Sequence, residues 1–110
     1  MKQTLDNCTF KYYFRDICTA LVKVRGGVVS CERYTDDALN LPFGKMPDRC
    51  LNKRTLKLFF SEHCVPEHRA NLQDFLDHYG LEKHDPFQIC LQTNGVMADS
   101  LYRLEWIEND

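Results

Sequence analysis

The strongest constraint on the fold lies in the first third of the chain, where three alternating segments follow one another at hairpin distance. "CTFKYYF" sets Cys8, Phe10, Tyr12 and Phe14 on one side and Thr9, Lys11 and Tyr13 on the other. "ICTALVKV" follows after Arg15-Asp16, and "VVSCERYT" follows after Arg25-Gly26-Gly27. Period-two alternation in β-branched and aromatic residues predicts strands. Gly26-Gly27 supplies the positive φ that a tight hairpin needs. An antiparallel meander over residues 1–35 is the simplest topology. A helix over residues 12–24 stays open as an alternative, because periodicity alone does not separate the two in a short apolar run. On the strand reading Cys18 lines up with Ala20, Val22 and Val24 as a small core hydrophobe.

Residues 36–51, "DDALNLPFGKMPDRCL", form a connection in which Pro42, Gly44 and Pro47 interrupt any regular element, while Leu39, Leu41 and Phe43 are expected to pin it to the core. A helical segment occupies residues 52–95. Asn52 is an N-cap, and Leu56, Phe59, Phe60 and Cys64 make an apolar stripe at helical spacing. Pro66 suits a first helical position, Leu72, Phe75, Leu76 and Tyr79 continue the stripe, and Gly80 ends it. Asp85-Pro86 starts a third helix around Phe87, Cys90 and Leu91, closed by Asn94-Gly95. Alternation over residues 101–107 predicts a last strand that returns to the sheet. The expectation is one α+β domain over residues 1–110, an antiparallel meander plus a C-terminal strand with about three helices on one face.

No run of 18 apolar residues is present, and the N-terminus lacks the apolar stretch of a secretory signal, so a cytoplasmic protein with no membrane partner is expected. The six cysteines are then expected to be reduced thiols. The net charge of −2 conceals an asymmetry: residues 1–44 carry six basic and five acidic residues, 45–69 six and three, and 70–110 two and eight, giving +1, +3 and −6. A pI near 6.1 argues against nucleic acid as the main ligand.

The stretch "SEHCVPEHRANLQDFLDHYG" gathers His63, His68, His78 and Cys64 with Glu62, Glu67, Asp74 and Asp77. Cys64 and His68 stand at i, i+4, a spacing that lets two helical side chains share zinc. Pro66 falls between them, and the residue before a proline avoids helical geometry, so the spacing loses its meaning and no metal site is expected. No C-x-x-C pair, nucleophile elbow or glycine-rich phosphate loop occurs, so no cofactor and no enzymatic activity are expected. A zinc- or cysteine-dependent activity is one alternative. A nucleic-acid-associated regulator using Lys53, Arg54 and Lys57, which share a helix face, is another.

"LPFG" (Leu41 to Gly44) and the region from "FFSEHCVPEHRANLQDFLDHYGL" through "DPFQICLQTNGVMADSLY" resemble a small module of Firmicute phages and mobile elements, found alone or in front of HipA-like kinase domains. The matching positions are Pro66, Arg69, Asn71, Gly80, Leu81, Gly95 and Tyr102, and the resemblance covers residues 39–107. The chain departs from the pattern at His63, Glu67, His68 and Arg103, and Asp99 falls one place early, so much of the module's basic surface is lost. The resemblance implies a mobile-element setting and no catalysis.

Taken with the acidic C-terminal half, these features predict a small non-enzymatic interaction protein. It is expected to be phage-encoded and to inhibit a host protein as anti-CRISPR inhibitors do, by presenting spaced carboxylates to a basic nucleic-acid-binding surface. The expected contact residues are Asp74, Asp77, Glu82 and Asp85, with Glu105 and Glu108; Asp74 and Asp77 share a polar helix face.

Overall fold

The computed structural model describes residues 3–96 and 101–108. Four strands, β1 (Asn7–Phe14), β2 (Ile17–Arg25), β3 (Val28–Arg33) and β4 (Tyr102–Trp106), form one antiparallel sheet in the order β3-β2-β1-β4. Three helices, α1 (Lys53–Glu62), α2 (Leu72–His78) and α3 (Pro86–Thr93), complete an α+β fold. Residues 12–24 are therefore strand and turn, not helix.

The register explains the core. Phe10 faces Trp106 and Tyr12 faces Leu104 across β1 and β4, while Phe10 and Tyr12 face Val22 and Ala20 on β2. Side chains alternate across a strand, so these residues share one face. Leu56, Phe59 and Phe60 of α1 and Ile89 and Cys90 of α3 are buried in the same cluster. The Phe10 ring lies 5.7 Å from those of both Phe59 and Phe60 and 5.3 Å from that of Trp106. Truncating a buried phenylalanine in such a cluster costs about 3–5 kcal/mol.

Capping follows the sequence signals at α1 and α3. The Asn52 side chain accepts from the Thr55 N–H, and the Asp85 side chain accepts from those of Phe87 and Gln88. At the end of α2 the Leu81 N–H reaches the Leu76 carbonyl and the Gly80 N–H that of Asp77, with Gly80 at φ +70°. At the end of α3, Asn94 is left-handed and its carbonyl accepts from the Leu104 N–H at 2.7 Å, closing the outer edge of β4.

Three expectations need correction. Pro66 does not open a helix: residues 66–71 form turns, and α2 starts only at Leu72, because Asn71 is left-handed at φ +61° and cannot continue a helix toward its N-terminal side. Cys18 does not line up with Ala20. Thr19 has no register partner in β1, and this extra residue moves Cys18 onto the opposite face, across from Tyr13. Leu39 does not anchor the connection; it is 84% exposed. Asp37 caps a short 3-10 turn (Ala38–Asn40) by accepting from the Leu39 N–H, which turns the Leu39 side chain outward, and the Leu39 carbonyl accepts from the Tyr102 hydroxyl. Leu41 is buried and Phe43 packs partly against the core.

Candidate functional site

The acidic residues do not form one surface. Asp74 and Asp77 are exposed on α2, and Glu82 is exposed in the segment that leads to α3. Asp85 is spent as the N-cap of α3, where its Oδ1 accepts two backbone N–H groups. Glu105 pairs in register with Lys11, on the side of the sheet opposite the Phe10 and Tyr12 side chains and hence away from the helices. Glu108 is exposed beyond the end of β4. The acidic corner is thus narrower than the sequence suggests: Asp74, Asp77 and Glu82.

This corner is carried by the least embedded helix of the three. Leu76 is the one buried residue of α2, whereas α1 buries Leu56, Phe59 and Phe60 and α3 buries Phe87, Ile89 and Cys90. Asp77 accepts from the Gln73 side chain at 2.8 Å, one turn back. Phe75 and Tyr79 are only partly covered and, with Val65, Pro66 and Val96, line an open groove of about 590 Å³. Arg69 also lines this groove, with its guanidinium over the Phe75 ring, 4.9 Å from the ring centre. Carboxylates on one helix and aromatic rings on its flank are the elements of an interface with an apolar centre and a polar rim.

The basic residues Lys53, Arg54 and Lys57 are all exposed on α1, but Lys53 is engaged by Asp6 at 3.1 Å. Leu58, 61% exposed, interrupts their surface.

The histidines and thiols of the stretch from Ser61 to Gly80 separate. His63 caps α1 and turns inward: Nδ1 lies 2.9 Å from the Phe59 carbonyl and Nε2 3.0 Å from the Tyr12 hydroxyl. His68 is exposed in the turn after Pro66, and His78 is exposed on α2. Cys64 is buried, and burial, with the Asp85 carboxylate as a second cause, pushes its thiol up to about 11. His84 Nε2 lies 3.9 Å from this sulfur but only 2.7 Å from the Val65 carbonyl. A carbonyl can only accept, so that nitrogen carries the proton and is a donor, not a base, toward the thiol. Cys90 and Cys8 are each pushed up to about 12 by burial. These are core thiols, protonated at neutral pH. Among the described residues no three His, Cys, Asp or Glu side chains are grouped to hold a metal ion.

Sequence reasoning missed the outer face of the sheet. Arg103, which the sequence marks only as a departure from the family pattern, places its guanidinium 4.0 Å from the Tyr13 ring centre. The signal was available in the alternation, which puts Tyr13 opposite the core side of β1. Asp99 lies outside the described residues. No helix among them is long and apolar enough to cross a membrane. Comparison of the chain with protein-family models, curated proteins and solved structures finds no match.

Proposed function

We propose that this chain is a small non-enzymatic interaction module, phage-encoded, that inhibits a host nucleic-acid-binding protein by occupying its basic surface. The observation that carries the reading is the exposure of Asp74 and Asp77 beside the groove of Phe75 and Tyr79, on a helix whose one fully buried residue is Leu76, with Glu82 exposed just beyond it. Carboxylates on adjacent turns imitate spaced phosphates for a partner rich in lysine and arginine, and an apolar side chain of that partner enters the groove. The absence of catalysis is supported by the protonated state of Cys64 and the commitment of His63 and His84 to backbone carbonyls. The test is affinity capture from a host extract, with nucleic acid as competitor. Capture of a nucleic-acid-binding protein, its release by the competitor and its loss on charge reversal of Asp74 and Asp77 are the expected results. No capture, or capture indifferent to that reversal, contradicts the reading.

A further inference from the structure

The outer face of the sheet carries a second surface, independent of the acidic corner. The helices pack on the side of Phe10, Tyr12 and Leu104, so the alternate residues face away from them. On this outer side the register aligns Arg103 with Tyr13, Lys11 with Glu105 on β4 and with Leu21 on β2, and Lys23 with Thr9. Arg103, Lys11 and Lys23 are therefore successive diagonal neighbours across β4, β1 and β2, each step about 7–8 Å between Cα atoms. Arg25 follows Lys23 on the same strand, but its guanidinium is bonded to the Cys8 and Val24 carbonyls and is left out of the track.

Two acids, Glu105 and Glu32, flank the track on either side, Glu105 beside Lys11 on β4 and Glu32 beside Leu21 on β3. The line of cations itself is not interrupted by an acid. At its head the Arg103 guanidinium is stacked on Tyr13, which fixes a planar cation against a planar ring. At its other end a cleft of about 350 Å³ is lined by Leu21, Lys23, Ser30 and Cys31 together with the acids Glu32 and Asp48, so the track ends there.

We propose that this face binds single-stranded nucleic acid. A base stacks on the Arg103–Tyr13 pair, and the phosphates follow Lys11 and Lys23. Three arguments favour a single strand. The cations run as a diagonal line and not as a broad field; the head of the line offers a flat π surface that an unpaired base can cover; and every base has such a face, so no sequence code is required. The chain's net charge of −2 opposes long-range attraction, so binding is modest and strongly salt-dependent.

The test is fluorescence polarisation with a labelled oligo-uridine of about 15 nucleotides, titrated with the purified full chain between about 50 and 200 mM salt. The two phosphate-facing lysines predict a log–log salt slope of about −1.4. Lys11→Glu with Lys23→Glu abolishes binding. Arg103→Lys, which keeps the charge and removes the planar stack, weakens it about tenfold. Glu105→Gln strengthens it. Thermal unfolding of each variant, unchanged at these outward positions, separates lost contacts from lost fold. The proposal is overturned if no binding occurs at about 50 mM salt. It is overturned too if binding survives reversal of Lys11 and Lys23 but is lost on reversal of Lys53, Arg54 and Lys57, or if a duplex of equal length competes as well as the single strand.

Discussion

The Tyr12 hydroxyl donates to His63 Nε2 at 3.0 Å, and the opposite nitrogen of the same ring donates to the Phe59 carbonyl at 2.9 Å. One imidazole thus ties the central strand β1 to the last turn of α1, with the Tyr12 ring 5.5 Å from those of both Phe59 and Tyr102. Removing one end leaves a covered polar atom without its partner. Tyr12→Phe is expected to cost about 1–2 kcal/mol and His63→Leu more, since it removes both bonds. In urea unfolding the double variant should lose less than the sum of the two singles; strict additivity contradicts the link.

Gly95 is the glycine that the packing requires. It sits at φ +68°, and a Cβ there would stand 3.0 Å from Leu104 Cγ. Gly95→Ala therefore combines a left-handed backbone with a clash against a buried leucine, and a loss of about 2–3 kcal/mol is expected. Gly26, at φ +57° with no atom within 4 Å of such a Cβ, bears only the backbone term, about 1 kcal/mol. Urea midpoints of the two alanine variants check the order; equal losses contradict it.

The thiols predict an alkaline limit to stability. Burial raises Cys8 and Cys90 to about 12 and Cys31 and Cys64 to about 11, against 9.0 for a free thiol. Above pH 9 the unfolded chain releases these protons and the folded chain keeps them, so the unfolded state binds fewer protons and stability falls as pH rises. The contribution is complete below about pH 8 and is lost from pH 9 upward, to about 11 for Cys31 and Cys64 and to about 12 for Cys8 and Cys90, at up to about 1.4 kcal/mol per pH unit for each thiol. Unfolding free energies at pH 8, 9 and 10, taken under reducing conditions, measure it. A flat profile to about pH 10 contradicts it. In the folded protein Cys50, which is exposed, should be the first to react with a thiol reagent.

Asp85 separates structure from recognition. Asp85→Ala removes two bonds to the start of α3 and should cost about 1 kcal/mol. Because its carboxylate is turned to the helix, partner binding should be unchanged where the fold is intact. A variant with full stability and weakened binding contradicts this assignment.

Much of this architecture was legible from local chemistry. The positive-φ pair Gly26-Gly27, the caps at Asn52 and Asp85 and the apolar stripe of α1 act through nearest neighbours, so the sequence displays them. What stayed hidden depends on neighbours distant in sequence. Thr19 is an ordinary strand residue until β1 is laid beside it and leaves it unpaired. Leu39 is apolar like Leu41, and only the turn capped by Asp37 sends the two different ways. The acidic residues of the C-terminal half follow one another in sequence, but strand pairing carries Glu105 to the far side of the sheet from α2. The same pairing brings Arg103 onto Tyr13. Alternation tells which residues share a face but not which strand lies beside them.

The most direct measurement of the central claim is the affinity of the captured host protein for the wild-type chain, for Asp74→Lys with Asp77→Lys, and for Lys11→Glu with Lys23→Glu. The proposed function predicts that the first pair of substitutions weakens binding at least tenfold, while the second pair, on the opposite face of the sheet, leaves it unchanged. Equal affinity for the wild type and the Asp74/Asp77 reversal, at unchanged thermal stability, would contradict it.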